Sequence, residues 1–173
     1  MKRLFLLLSF SLQACGQSAL CTSQGVSLAG VTTTGAMPDE WTCARFAVAL
    51  YAVLDTFDEE QPQFNFEQSR ALRQLSGYTI SVHPEKSFYS AEHGQEVSGL
   101  TMCGTRQILV GNRPLGESDI FAHELVHAVQ GCVVPDHRDW DQENQNGATI
   151  QGTVNKATTR TAELISVMKS EGL

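Results

Sequence analysis

Two histidines and a glutamate stand at a spacing that suits metal-dependent hydrolysis. They are His123, Glu124 and His127, in the run His-Glu-Leu-Val-His. Four residues make about one helical turn, so a helix would place both imidazoles on one face, where they can ligate a single metal ion. Zinc suits two imidazoles and a carboxylate, and three protein ligands leave a fourth position for water. Glu124 would flank the ion and act as general base on that water.

The surrounding sequence predicts that the motif lies on a helix running from about 119 to 130. Ser118 can cap the first turn, and Asp119 is favourable near the positive end of the helix dipole. Gly131 stands where the chain must leave the helix. The rest of the segment is apolar, as expected for a helix at the floor of a cleft. These apolar residues are Phe121, Leu125, Val126, Ala128 and Val129.

A third ligand must come from farther along the chain. Position 133, where metzincins carry their third histidine, holds a valine, so that subclass is excluded. The candidates lie in a polar loop, at His137, Asp139, Asp141 and Glu143, and on a later predicted helix, at Glu163. We favour Glu163 because its neighbours are apolar, and a carboxylate is costly to bury without a cation as partner. A surface ion pair with Arg160 is the alternative for that glutamate.

Helices and short strands alternate along the remaining chain, which predicts an α+β fold. In that fold a small sheet packs on the active-site helix, and a second helix carries a ligand. Residues 84–99 are expected to form an exposed loop. The predicted elements are a buried helix over 41–57, a helix over 66–75 capped by Asn65 and ended by Gly77, a strand over 78–82, a hairpin of 100–103 with 107–110, a turn over 112–116 and a helix over 155–169.

The first residues have the composition of an export signal. Lys2 and Arg3 precede an apolar stretch, 4–12, that is too short to span a bilayer. The following Leu-Gln-Ala-Cys15 resembles the lipobox of bacterial lipoproteins, in which the cysteine is lipidated. This predicts a signal peptide over 1–14, a lipidated tether over 15–37 and a peptidase domain over 38–173. A plain secretory signal is the alternative; the lipoprotein interpretation predicts a protein anchored in the bacterial envelope and facing the periplasm.

Export gives the other cysteines an environment in which disulfides persist. Apart from Cys15, the chain has Cys21, Cys43, Cys103 and Cys132, an even number. Proximity in sequence favours the pairs Cys21–Cys43 and Cys103–Cys132. Free buried thiols are the alternative.

The charge of the chain limits its partners. The formal net charge is −7, with 12 basic residues scattered among 19 acidic ones. Nucleic-acid binding is therefore not expected, because phosphate backbones are held by clustered Lys and Arg. Contact with the membrane is expected through the lipid anchor rather than through the acidic surface.

The segment from His123 to Cys132 also resembles a known family. It is similar to the His-Glu-Leu-x-His-Ala-x-x-x-Cys motif of the mitochondrial intermembrane-space metallopeptidases that mature an ATP synthase subunit and assist its assembly. The resemblance spans about residues 98–170 and implies a zincin fold of the gluzincin type. Residues 161–165, Thr-Ala-Glu-Leu-Ile, are similar to the segment that carries the family's glutamate. The resemblance thus implies His123, His127 and Glu163 as zinc ligands and Glu124 as the catalytic base.

These observations predict a zinc-dependent peptidase that acts on peptides or on another envelope protein. The alternatives are a noncatalytic zinc-binding lipoprotein that serves as assembly factor or chaperone, and a hydrolase of non-peptide substrates on the same site. Tyr89, His93 or His137 could stabilise the oxyanion. His83 is expected to be a structural or surface histidine, and Trp140 is expected to anchor a loop.

Overall fold

The computed structural model describes residues 20–22, 25–28, 31–34, 42–62, 68–130, 137 and 140–172, with the backbone alone for 20–28 and 68–69. These residues form a mixed α/β fold, which confirms the expected class at that level. The elements in chain order are β1 (Leu20–Thr22), β2 (Gly25–Leu28), β3 (Val31–Thr34), α1 (Cys43–Glu60), α2 (Gln68–Leu75), β4 (Thr79–His83), β5 (Phe88–Ser90), β6 (Gln95–Val97), β7 (Gly99–Met102), β8 (Gln107–Gly111), α3 (Ile120–Val129) and α4 (Ile150–Ser170).

A six-stranded sheet has the order β1-β2-β3-β4-β8-β7. The strands β3, β4 and β8 run parallel at its centre, whereas β7 pairs antiparallel with β8 along one edge. The β7–β8 pair confirms the predicted hairpin, with Leu100 opposite Leu109. In β8, Ile108 and Val110 are buried, as the alternating pattern of a strand with one face on the core requires.

Residues 20–34 differ from the prediction, because strands β1 to β3 join the main sheet instead of forming a tether. In β3, Val31 and Thr33 are buried while Thr32 and Thr34 are exposed. The threonines of this strand are β-branched, and β-branched residues fit a pleated, half-buried strand well. The folded domain therefore includes residues that lie before position 38.

The longest helices, α1 and α4, pack along each other. Thr42 caps α1 by accepting a hydrogen bond from the Arg45 amide at 3.3 Å, and the buried face of α1 includes Phe46, Leu50 and Phe57. Ion pairs join Arg160 to Asp55 and to Glu59 at the solvent-exposed border of the two helices. Surface pairs of this kind add little stability, so the apolar contact dominates the packing.

Helix α3 carries the His-Glu-Leu-Val-His motif and packs against β7 and β8. The Ile120 amide donates to Ser118 Oγ at 3.3 Å, which is consistent with the predicted start of this helix. Most of its other side chains are buried, so only a narrow stripe of the helix surface, which includes His123 and His127, is accessible to a ligand. The buried residues are Phe121, Ala122, Glu124, Leu125, Val126, Ala128 and Val129.

The structure shifts several predicted boundaries. Segment 84–99 contains the hairpin of β5 and β6, with Tyr89 opposite Glu96, instead of an irregular loop. Helix α4 begins five residues before its predicted start, because Thr149 caps it by accepting from the Gly152 amide at 2.8 Å. Gly77 follows α2 with φ of +83°, the left-handed conformation that favours glycine after a helix. The predicted cap of α2, Asn65, lies outside the described residues.

None of the helices within the described residues has the length and apolar character to cross a membrane. Cys43 at the start of α1 and Cys103 after β7 are both disulfide-bonded, which excludes free thiols at these positions. The predicted partners, Cys132 and the side chain of Cys21, lie outside the described part of the chain, so the pairing itself stays a prediction. The signal peptide and Cys15 also lie outside it.

Candidate metal centre

Three histidines converge at the half-buried stripe of α3. His123 and His127 come from successive turns of the helix, and His137 comes from the segment that follows it. Their Nε2 atoms form a small triangle, 3.2 Å between His123 and His127, 3.3 Å between His127 and His137, and 3.0 Å between His137 and His123. In the described part of the chain this is the group of ligand atoms that could hold a metal ion.

The size of this triangle fits one face of a tetrahedral zinc site. With zinc–nitrogen distances of about 2.0–2.1 Å, two nitrogen ligands at tetrahedral angles lie about 3.3 Å apart. Three ring nitrogens that face one another are also poor mutual partners, since a neutral imidazole offers one donor and one acceptor nitrogen. A cation between them would bind all three lone pairs. The residues present therefore fit a metal ion of the zinc class.

The two motif histidines are neutral at physiological pH. Burial lowers the pKa of His123 to about 4, and the neighbouring His137 lowers it further. Burial likewise lowers the pKa of His127 to about 4, with added repulsion from the other two imidazoles. A metal ion binds the unprotonated ring nitrogen, so both side chains hold the form that a metal requires at neutral pH.

Glu124, next to His123 on α3, lies against strand β7 of the sheet. Its carboxylate is buried, with 5% of the residue exposed, and is not one of the converging ligand groups. Thr101 Oγ lies 2.6 Å from Glu124 Oε2 and 3.0 Å from its backbone oxygen, where the hydroxyl can donate. Burial raises the pKa of Glu124 to about 7, and the Thr101 hydrogen bond opposes this rise. A carboxyl group with a pKa near neutral pH can both accept and return a proton.

Strand β7 determines where the Glu124 carboxylate can lie. A Cβ atom added to Gly99 would overlap Glu124 Oε1 and would stand 2.7 Å from both Glu124 Cγ and Ile120 Cγ2. Glycine therefore allows the strand to approach the helix at the level of Glu124. The sequence analysis did not identify Gly99 or Thr101, because neither residue has a local pattern that links it to a motif more than twenty residues away.

His137 belongs to a segment that is tied to the two long helices. Asn144 Nδ2 donates to the Glu60 backbone oxygen at 2.8 Å and to Gln61 Oε1 at 3.1 Å, which holds the segment to the end of α1. Asn144 Oδ1 accepts from the backbone amide of Ala148 at 3.0 Å. Trp140 is buried, as expected for a loop anchor, and its backbone amide donates to the His137 oxygen at 3.1 Å.

The structure does not bring Glu163, the favoured candidate for the third ligand, together with the two motif histidines. That residue is exposed on α4 and does not belong to the converging group, whereas His137 does. The expectation assumed that apolar sequence neighbours imply burial, but on the helix Glu163 lies on the solvent side, between the buried Thr161 and Ile165. Asp141 and Glu143 are also exposed and stand outside the group. Asp139 is not among the described residues.

The other polar candidates lie on the β5–β6 hairpin or near it. Tyr89 is 68% exposed on β5, and His93 is exposed in the turn of the hairpin. His83 has a structural environment, because its Nδ1 accepts from the Glu85 amide at 3.1 Å and its ring lies 4.9 Å from that of Phe88. Of the three candidates for oxyanion stabilisation, His137 is the one that belongs to the histidine cluster.

The chain matches no protein-family model, no curated protein and no solved structure.

Proposed function

We propose that the protein is a zinc-dependent peptidase whose zinc ligands are His123, His127 and His137 and whose general base is Glu124. The observation that carries the proposal is the convergence of three imidazoles at distances that suit zinc, two of them on the helix that also bears a buried carboxyl group. A zinc ion bound there would polarise the substrate carbonyl and lower the pKa of a bound water to about 7.

The residues of the chain then have separate tasks. Glu124 accepts the proton of the attacking water and passes it to the amine nitrogen that leaves when the peptide bond breaks. Thr101 donates to one carboxylate oxygen and so limits the rotation of the base. The three histidines would hold the ion through Nε2, and the neutral state of His123 and His127 removes the cost of deprotonating them near neutral pH.

The ligand set favours catalysis over a purely structural zinc site. In the part of the chain that the structure describes, three side chains converge, and a structural site ordinarily uses four. The noncatalytic alternative, a zinc-binding assembly factor or chaperone, requires a fourth protein ligand or a zinc site without turnover. A histidine as third ligand also replaces the glutamate that the gluzincin resemblance implies, so we propose the zincin class without that subclass.

We further propose that the protein is an exported lipoprotein of the bacterial envelope, anchored through Cys15. The disulfide bonds of Cys43 and Cys103 support this location, because disulfides persist in oxidising compartments and are rare in the cytosol. The basic and apolar residues before the lipobox-like segment are typical of an export signal and support the same location. Labelling with a radioactive fatty acid, compared between the wild type and Cys15→Ser, tests the anchor.

The experiment for the activity combines metal analysis with cleavage. The full-length chain, its Glu124→Gln variant and its Glu163→Gln variant are analysed for zinc and incubated with an unfolded protein substrate. We expect equimolar zinc in all three and cleavage by the wild type and Glu163→Gln but not by Glu124→Gln. Zinc without cleavage by the wild type would favour the noncatalytic alternative, and absence of zinc would refute the metal site.

A further inference from the structure

Trp140 contacts all three histidines of the candidate metal centre, although none of the proposed catalytic tasks involves it. The centroid of its ring system lies 4.4 Å from that of His123, 5.0 Å from that of His127 and 4.8 Å from that of His137. The residue is 2% exposed. One buried aromatic side chain therefore forms a common surface behind three separate ligands.

The angles between the rings suit this contact. Trp140 is tilted by 43° to His123 and by 35° to His127, and it meets His137 edge to face at 75°. Offset and edge-to-face arrangements at these distances are the favourable ones for aromatic pairs. The attraction grows when a cation binds, because the imidazoles then carry positive charge next to an electron-rich indole face.

The backbone of Trp140 ties this surface to the elements that carry the ligands. Its amide donates to the His137 oxygen at 3.1 Å, and its own oxygen accepts from the Gln151 amide at 3.2 Å in the first turn of α4. The Gln151 side chain then donates to Asp119 Oδ2 at 3.3 Å, at the start of α3. Trp140 is thus linked by hydrogen bonds to His137 and, through Gln151, to the start of α3, the helix that carries His123 and His127.

The indole N–H of Trp140 distinguishes this residue from an ordinary core residue. Trp140 Nε1 is buried and has no hydrogen-bond partner among the residues that the structure describes. An unpaired buried donor is unfavourable, so phenylalanine would serve better at this position if only the stability of the core mattered. The property of tryptophan that matters here is its large indole face, which contacts all three histidines.

We infer that Trp140 is a positioning residue for the metal centre, whose indole holds His123, His127 and His137 in their converging arrangement before a divalent cation binds. The inference rests on the metal-binding part of the proposed function and is independent of the peptidase activity. Loss of such an outer support ordinarily lowers metal affinity by about 10- to 100-fold. The loss should depend on the aromatic face rather than on the volume alone.

The test measures zinc affinity by competition with a chromophoric chelator. We compare the full-length wild type with Trp140→Leu and Trp140→Phe, and we use Trp41→Phe as a control with the same chemical change at the other tryptophan of the chain. We expect a 10- to 100-fold loss in Trp140→Leu, a smaller loss in Trp140→Phe and no change in the control. Equal affinities in all four proteins, or equal losses in both Trp140 variants, would overturn the inference.

A spectroscopic readout covers the case in which a Trp140 variant does not fold. The Trp41→Phe variant keeps Trp140 as its single tryptophan, so its emission reports on that residue alone. Equimolar Co²⁺ should quench this emission, and Zn²⁺ should prevent the quenching by occupying the same ligands. Emission that stays unchanged while the absorption bands of bound Co²⁺ develop would overturn the contact between Trp140 and the ligands.

The two proposals fail separately. Weakened zinc binding in Trp140→Leu without any cleavage by the wild type would support the positioning role and contradict the peptidase. Cleavage by the wild type with unchanged zinc affinity in both Trp140 variants would do the opposite. Thermal unfolding of the metal-free variants, followed by circular dichroism, verifies that each affinity belongs to a folded protein.

Discussion

The buried carboxyl group of Glu124 predicts a pH-dependent change in stability that a single substitution can reveal. Its pKa is raised from 4.5 to about 7 in the folded, metal-free protein, mainly by burial. A raised carboxyl pKa means that the folded state binds its proton more tightly than the unfolded chain does. The stability contributed by that proton is complete below pH 4.5 and is lost as the pH rises through 7.

The magnitude follows from the two pKa values. The carboxylate costs the wild type about 1 kcal/mol at pH 5 and about 3 kcal/mol at pH 8, since each pKa unit corresponds to about 1.4 kcal/mol. Glu124→Gln is neutral at every pH, has nearly the same shape and keeps an oxygen that can accept from Thr101. We therefore expect the metal-free variant to be more stable than the wild type by about 3 kcal/mol at pH 8 and by about 1 kcal/mol at pH 5.

Thermal unfolding of the metal-free proteins between pH 5 and pH 8 measures this difference. For a chain of this length, 3 kcal/mol corresponds to a rise of roughly 6–12 °C in Tm. Glu163→Gln makes the same chemical change at an exposed position and should leave Tm nearly unchanged. Added zinc should reduce the advantage of Glu124→Gln, because a nearby cation favours the charged carboxylate. If the Tm difference between Glu124→Gln and the wild type does not grow with pH, the raised pKa of Glu124 is refuted.

Three further predictions concern the residues around the base and the third ligand. His137→Ala should weaken zinc binding at least tenfold while Glu163→Gln leaves it unchanged, as measured by chelator competition; the reverse result would return the ligand role to Glu163. Thr101→Val removes a hydrogen bond that lowers the pKa of Glu124, so the acidic limb of the kcat/KM profile should move to higher pH, and an unmoved limb would contradict the contact. Gly99→Ala should displace the carboxylate and lower kcat about 10- to 100-fold without loss of zinc, whereas wild-type turnover would show that the strand can yield.

The candidate metal centre has a part that the sequence predicts and a part that it does not. The spacing of His123 and His127 is local, because helix geometry alone places residues four apart on one face. Glu124 follows from the same helix, as do the cap at Ser118 and the apolar face that packs on the sheet. The hairpin of β7 and β8 was predicted equally well, since alternating apolar residues around a short turn are also a local signal.

Which residue joins the two motif histidines depends on the tertiary structure. The apolar neighbours of Glu163 suggested burial, yet the packing of α4 on α1 leaves that carboxylate in solvent. His137 reaches the motif because Asn144 ties the following loop to the end of α1 and because the Trp140 amide donates to the His137 oxygen. These contacts depend on residues that are distant in sequence, so no periodic pattern in the sequence predicts them.

The amino-acid sequence alone predicts the chemistry available to this protein, which is two imidazoles one helical turn apart with a carboxyl group between them. Tertiary structure decided how that chemistry is arranged. It brought His137 to the two motif histidines, packed Trp140 against all three imidazoles and placed Gly99 and Thr101 of an edge strand against Glu124. The physical reason is that helical spacing is a property of neighbouring residues, whereas burial and convergence depend on which elements pack together.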